Sequence, residues 1–566
     1  MLSLTAIYLR HSECFDNFIS ETDKMFQRGG EFERKALDSF ICEMDNVKTG
    51  WERAASLADA SRRAALLCCS YSMNGANLVN IHLTPLEQIS WNETALGAAR
   101  KYNERRAEGI ILSNLGLAYE QAGQLRAALD CHLKSLEIVR EVNDRFSEET
   151  TLGNLGACYQ ALEQYRKAIK CYDEQKRIAD EIVDIRGSAN ALMDAGICYY
   201  NLGENERALK LYESALELFR LINNLRGEGL VAGNMGHIYA EAGDSEKALK
   251  YYERDLEIAR QLFDQHGISH ALNNIGAVYS DLGDNLRAIK LYDERLLIAR
   301  EIGDRRGEAF ALTNAGASYA DLGLPDRALD CYEKSLEIAH ELDDQGLRLH
   351  ALINLGILQW RTGVYDKSAR TLNEALKTAL ELEDPRSEQS ILGSLGLISH
   401  TAGEYRKAIE FYRAAEAIAG RLGDRRTKAI CLMNIGASYY ELKEYLKALE
   451  ISEKALEILD TVGDSYHAGV VFLNLANNHS ELGNHTLAEN YYRMSLERAR
   501  EVGNLSGEAS ALFNLSRNRF ENKRFENAIE LAEKALEIFI RINDPNQTKV
   551  RQMLDAWRKS RLPAEN

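Results

Sequence analysis

A nine-residue segment that recurs every forty residues leaves this chain few ways to fold. Ile111-Leu112-Ser113-Asn114-Leu115-Gly116-Leu117-Ala118-Tyr119 comes back as Leu152-Gly153-Asn154-Leu155-Gly156-Ala157-Cys158-Tyr159, and equivalents of Asn114 follow at 194, 234, 274, 314, 354, 394, 434, 474 and 514. The eleven copies are joined without insertion or deletion. An unbroken period of this length marks a stacked array of one supersecondary unit, in which each copy buries its apolar face on its neighbours. A chain of 566 residues would otherwise suggest several globular domains.

Composition narrows the class further. Only 5 prolines occur, which permits helices almost everywhere, and 27% charged residues suit helices with one wet face. A formal net charge of −17 argues against nucleic acid, whose phosphates demand clustered Lys and Arg, and against an anionic membrane surface. Ten cysteines form no disulfide pattern: Cys131, Cys171 and Cys331 share one repeat position, and Cys158 and Cys198 another, as small buried hydrophobes would. That usage points to a reducing compartment. The start, Met1 to Arg10, is too short and too soon charged for a signal peptide, and no run of 18 apolar residues is present. A cytoplasmic protein is expected.

Residues 1–60 lack the repeat and read as an N-terminal helical cap. In it Leu37, Phe40, Ile41 and Met44 share a helix face, Gly29-Gly30 separate this helix from an earlier one around Tyr8 to Met25, and Asp45-Asn46 start another helix containing Val47 and Trp51. Residues 61–103 read as a degenerate first repeat, whose second helix opens at Thr84-Pro85. Eleven regular repeats fill 104–543, and 544–566 form a C-terminal capping helix with Val550, Met553, Leu554 and Trp557 on one side. Each regular repeat has a first helix carrying the nonamer, a break such as Gly123 or Gly203, a second helix, and a link with an acidic residue or Asn at period forty. The links run from Asp144 and Asp184 to Asn504 and Asp544, and these side chains suit the capping of the next helix.

Within the first helix, Leu112, Leu115 and Tyr119 fall on one face, which must pack on the second helix. The position of Gly116 is Gly in nine copies, then Ala476 and Ser516. In the second helix Ala128, Ala168, Ala208, Ala248, Ala288 and Ala328 begin a column broken only by Ser368, and we expect this small column to lie opposite the Gly column.

These residues carry a family resemblance. Leu-x-x-Leu-Gly-x-x-Tyr, followed by Gly123, Ala128 and an aromatic at Tyr172 or Tyr212, resembles the tetratricopeptide repeat, with six residues more than its usual 34. The resemblance implies an all-α solenoid of helical hairpins, a right-handed superhelix with first helices lining a concave groove, similar to the arrays of cell-polarity adaptors and kinesin light chains. His11 to Phe18, Leu37, Phe40, Glu43, Asp45-Asn46 and Trp51 resemble, more weakly, the segment before the repeats of bacterial signal-transduction ATPases with numerous domains. No Gly-x-x-x-x-Gly-Lys-Ser/Thr loop occurs, so the resemblance implies the sensing half only.

Candidate binding residues follow from the stripe facing away from Leu112. Asn114, Asn154, Asp194, Asn234, Asn274, Asn314, Asn354, Asn434, Asn474 and Asn514 form one column, broken by Ser394. Asn is poor inside helices, so an interaction should offset its cost. One reading is a ladder of amides for a ligand backbone, as the family resemblance implies for extended peptides. The other is bracing between neighbouring repeats. One turn on, Glu241, Asp281, Asp321, Glu441, Glu481 and Glu521 make either an acidic wall for a basic segment or ordinary solvated helix ends. Trp360, Arg361 and His400 interrupt the pattern and mark either a specific pocket or drift.

No cofactor or metal site is expected: His266 and His270 have helical spacing but no partner ligand beside them, and no hydrolase elbow or zinc spacing occurs. The expected function is a non-enzymatic scaffold that binds a protein or peptide, with a basic segment if the acidic wall is real. The alternative is a regulatory or sensor subunit controlling a separate effector. The sequence does not set the oligomeric state.

Overall fold

The computed structural model describes residues 4–26, 31–74, 78 and 81–559. Among them are twenty-seven α-helices and no strand. They fall into two compact units, residues 1–298 and 299–566, divided inside the helix Asn285–Glu301.

The first unit begins with two long packed helices, Leu4–Phe26 and Glu31–Leu57, then Arg62–Asn74 and Pro85–Lys101. Glu31–Leu57 runs through Asp45-Asn46 without a break, contrary to the expectation of a new helix there. Two local bonds go with the continuous helix: the Asn46 amide donates to Glu43, and the Thr49 hydroxyl donates to the Asp45 main-chain carbonyl one turn back. On this helix Phe40 is fully buried against Phe18 and His82, but Ile41 faces solvent. The Gly29-Gly30 break lies outside the described residues. Thr84 opens Pro85–Lys101 with a reciprocal capping box to Glu87.

From Arg105 onward the architecture is monotonous. The first helices of the first unit are Arg105–Gln121, Arg145–Ala161, Ile185–Asn201, Leu225–Glu241 and Gln265–Asp281. Their partners begin at Leu125, Tyr165, Asn205, Ser245 and Asn285. The second unit carries six more hairpins, from Arg305–Asp321 to Phe525–Arg541, and ends with Asn546–Lys559. Most helices have 17 residues and most turns three, and the helices of 18 are followed by turns of two, so a left-handed residue recurs every twenty positions: Gly123, Asn143, Glu163, Val183, Gly203, Asn223 and onward.

The turn chemistry explains this regularity. Past each helix the left-handed residue lets two amides turn back, as when Gly123 N–H donates to Glu120 O and Gln124 N–H to Tyr119 O. At the links one residue does double service. Asp144 N–H closes the preceding helix on Val139 O, while its carboxylate accepts from Ser147 N–H and opens the next. Asp184, Asn224, Asp264, Asp304, Asp344, Asp384, Asp424, Asp464 and Asn504 cap in the same way.

A β-branched side chain at positive φ is strained, and Val183 sits at φ 63 with its side chain 78% exposed. Replacing it with Gly removes strain and loses no packing. Val183→Gly should therefore stabilise the first unit by about 0.5–1 kcal/mol after Gly's entropy cost. A higher urea midpoint is the readout, and an unchanged or lower one would contradict it.

The core is strung along the array rather than gathered at one place. One cluster joins Leu192, Tyr212, Leu216, Phe219, Val231 and Met235 from three successive helices. The Gly column is filled differently from the expectation of small facing small. Above Gly156, Gly196, Gly236, Gly276, Gly316 and Gly396 lie the rings of Tyr172, Tyr212, Tyr252, Tyr292, Tyr332 and Tyr412; a Cβ on any of these glycines would meet a ring carbon at 2.5–2.7 Å. The Ala column touches the glycine's backbone instead, as the one exception shows: Ser368 Oγ donates to Gly356 O at 2.6 Å. At the end of the second unit, Val550, Leu554 and Trp557 join the cluster of Phe513 and Phe539, and Trp557 stacks on Phe520 at 4.2 Å. Seven of the ten free cysteines are buried, Cys171 is half-buried, and Cys14 and Cys42 are exposed.

Buried Arg–Glu clamps tie repeats together. Glu148 is 3% exposed and accepts from Arg140, which ends the previous repeat, and from Arg145, at 2.8 and 2.7 Å. Burial alone would raise its carboxyl, but the two guanidiniums hold it below the usual carboxylate range. Glu108 and Glu308 repeat the arrangement with Arg100 and Arg105, and with Arg300 and Arg305.

Candidate functional site

Each first helix leaves one stripe unburied. On Leu225–Glu241 it consists of Leu230, Asn234, His237 and Glu241, spaced i, i+4, i+7 and i+11 on one face, while Val231, Ala232, Met235, Gly236 and Ile238 are buried. The stripes of neighbouring first helices touch within each unit, and hydrogen bonds cross between them. Tyr200 donates to Glu241 one repeat on, and Tyr440 donates to Glu481 at 3.4 Å. Successive stripes therefore form a continuous surface inside a unit.

The Asn column is half-buried throughout, and its members divide into groups. Asn114 Nδ2 donates to Ser72 O at 2.8 Å, and Asn154 Nδ2 to Ser113 Oγ at 3.1 Å, each bracing the preceding repeat. Asn354 donates to His350 O on its own helix, Asn274 accepts from Asn273 at 3.5 Å, and Ser394 donates to Ser390 O. The side-chain amides of Asn234, Asn434, Asn474 and Asn514 make no hydrogen bond among the described residues, and Asn314 is half-buried like the rest. Both readings of the column thus describe some of its members. Asp194 has no ion pair among the described residues, and burial pushes its carboxyl up to about 6.

Glu241, Asp281, Asp321, Glu441, Glu481 and Glu521 are all exposed. Three are engaged: Glu241 by Tyr200, Glu481 by Tyr440, and Asp321 by an ion pair with Arg361. Asp281, Glu441 and Glu521 have no ion pair among the described residues. Arg361 therefore neutralises part of the acidic row instead of standing apart from it. Trp360 is half-buried against the cluster that contains Ile398, and its indole N–H is enclosed without an acceptor. His400 Nδ1 lies 3.0 Å from Ser438 Oγ of the next repeat and packs on Tyr405. Burial lowers its imidazole and Glu441 partly offsets this. Trp360 and His400 thus each lean on the following repeat. Gln160 stands at the same register and contacts Cys198, so this rung is shared with an ordinary repeat.

The sequence reading missed one set of stripe residues. His237, Leu397 and Arg517 are exposed three positions beyond the Asn column, beside Asn234, Ser394 and Asn514. The i+3 rule of helix surfaces would have placed them there.

This fold and its continuous polar stripe define a helical-repeat interaction module. Family models for the tetratricopeptide repeat match residues 111–146, 147–221, 227–301, 307–381, 387–461 and 467–541, and the chain belongs to that family. Such repeats generally bind proteins or peptides rather than catalyse. No curated protein matches the chain significantly. Among solved structures, the chain is similar to BtubC from P. vanneervenii, with 22% identity over 39% of this chain and 93% of that one and a TM-score of 0.36. It is similar to the apo form of RapI, with 19% identity, 49% and 99% coverage and a TM-score of 0.39. A third is a signal transduction ATPase with numerous domains, carrying a tetratricopeptide repeat sensor, from Pyrococcus horikoshii; the figures are 16% identity, 89% and 74% coverage and a TM-score of 0.47. No described helix is long and apolar enough to cross a membrane.

Proposed function

We propose that the first-helix stripe of each unit binds an extended polypeptide segment that carries Lys or Arg. The observation that supports this most is the set of exposed, same-register carboxylates without counter-ions, Asp281 in the first unit and Glu441 and Glu521 in the second. Elsewhere on the surface, acids are repeatedly paired, as Asp130, Glu204, Glu444 and Glu530 are. The free side-chain amides of Asn434 and Asn514 lie seven residues before Glu441 and Glu521, those of Asn234 and Asn474 stand in the same column, and all four offer a donor and an acceptor to a peptide backbone. A scaffold and a regulator of a separate effector would both work through this surface.

A labelled Lys/Arg-rich peptide provides the test, followed by fluorescence anisotropy. Combined Glu441→Lys, Glu481→Lys and Glu521→Lys should weaken binding about tenfold or more, and added salt should weaken the wild-type complex. Glu457→Lys, Glu497→Lys and Glu537→Lys make the same charge change on exposed second-helix positions and should have much less effect. Equal losses for both triples would mean net charge alone acts, and unchanged binding in the first triple would remove the acidic row from the site.

A further inference from the structure

A cleft on the other side of the helical layer has no part in the stripe. It opens in the first unit between the second helix Ser245–Gln261 and the following hairpin, encloses about 680 Å³, and is floored by Leu256, Leu272, Ile275, Tyr279 and Leu291. Glu253 stands on its rim.

Other repeats show what this space is shaped to hold. In the preceding repeat the residue equivalent to Leu291 is Tyr251, whose ring lies parallel to Tyr239 at 5.5 Å and packs on the cluster of Leu216 and Met235. These are the equivalents of Tyr279, Leu256 and Ile275. In the second unit the same place holds Tyr491, parallel to His479 at 5.6 Å and packed with Leu456, Phe472 and Leu475. Phe411 takes it in another repeat, against Leu376 and Leu392. Three repeats thus insert an aromatic ring from their own chain, while the other repeats carry a smaller or aliphatic residue there, Leu211 and Leu531 among them. Leu291 is too short and the wrong shape to do so; Arg287 covers one face of Tyr279 at 5.4 Å, and the other face is left to the cleft.

The rim sets the charge of whatever enters. Glu257 is held by Arg254 at 2.6 Å and Arg260 by Glu294 at 2.9 Å, while Glu253 has no ion pair among the described residues. In the filled cleft the equivalent carboxylate, Glu213, lies near the inserted ring: burial, Tyr239 and Glu213 together push the Tyr251 phenol up.

We infer that this cleft docks a partner polypeptide presenting a Tyr or Phe side chain with a Lys or Arg beside it. The ring stacks on Tyr279 between Leu256, Ile275 and Leu291, as Tyr251 does one repeat earlier, and the cation pairs with Glu253. An offset aromatic pair is favourable beyond the apolar area it buries. This site is independent of the stripe, because it uses second-helix residues and the opposite side of the first helix.

The probes are the capped tripeptides Lys-Tyr-Lys and Lys-Ala-Lys, followed by methyl NMR of the full chain. Lys-Tyr-Lys should shift the Leu272, Ile275 and Leu291 methyl signals saturably, with a Kd on the order of 1 mM, and Lys-Ala-Lys should not. Leu291→Tyr rebuilds the neighbouring repeat's own packing, so it should fold and weaken the peptide about tenfold or more. Glu253→Lys lies on the surface and should weaken it several-fold without touching the floor. Saturable shifts that survive Leu291→Tyr, shifts of equal size with Lys-Ala-Lys, or no shifts at all would each overturn the proposal.

Discussion

Tyr212→Ala should unfold a stretch of the first unit and leave distant repeats alone. The Tyr212 ring is 1% exposed and lies over Gly196, where a Cβ would sit 2.5 Å from its Cε1. Removing it opens a cavity that neither helix can close, because both are held by their capped turns at Asp184 and Asn224. Large-to-small changes of this kind cost about 3–5 kcal/mol. Each repeat contacts only its neighbours, so the loss should concentrate in Ile185–Asn201, Asn205–Leu221 and Leu225–Glu241. Hydrogen exchange read by mass spectrometry should show faster exchange there and unchanged protection in Arg425–Glu441. Tyr212→Leu should lose much less, since Leu372 fills the same place over Gly356. Loss spread evenly over both units would mean that the array opens as one cooperative body, and no loss would mean that the Tyr–Gly contact is dispensable.

The same pair shows what was legible in the sequence. The forty-residue period gave the helix pairs, and the Asp column gave the caps, because both depend on residues close together in the chain. The partner of the Gly column did not follow from proximity. Two small columns, Gly116 and Ala128, suggested small against small, whereas the Tyr ring four residues beyond the Ala lies over the Gly. The contact is set by the crossing of the two helices, which periodicity does not report. At Asp45-Asn46 a capping sequence was present and the helix ran through it, with the Asn46 side chain bonded back to Glu43 within the helix. Among candidate site residues, facing was legible and availability was not. The Asn column and acidic row do lie on the unburied stripe, yet only the folded structure shows Asn114 spent on Ser72 and Asp321 on Arg361. The cleft beside Leu291 had a faint sequence trace, a Leu where three other repeats have Tyr251, Phe411 and Tyr491. Its meaning needed the filled clefts for comparison.

Asp194→Asn should stabilise the protein at pH 8 and hardly at all near pH 4. Asp194 is the one acid in a column otherwise made of Asn with a single Ser, and burial raises its carboxyl from 3.8 to about 6. A raised folded-state value means that the native chain holds this proton more tightly than the unfolded chain. Below 3.8 both states are protonated and the group is neutral in its effect. Between 3.8 and about 6 the unfolded chain ionises first, so stability falls as pH rises, and above about 6 the whole penalty is present. The change corresponds to roughly 3 kcal/mol at most, and partial exposure trims it to about 1–2 kcal/mol. Asn removes the charge in the shape the neighbouring repeats already accept at Asn154 and Asn234. Asp255 in the same unit is also raised by burial to about 6, so wild-type stability will keep a pH dependence of its own. The difference between wild type and variant isolates Asp194. Urea unfolding of both at pH 8 and pH 4 measures it. A gain of equal size at both pH values would assign the effect to packing, and a loss at pH 8 would show that the ionised carboxylate is held by a favourable contact in the stripe.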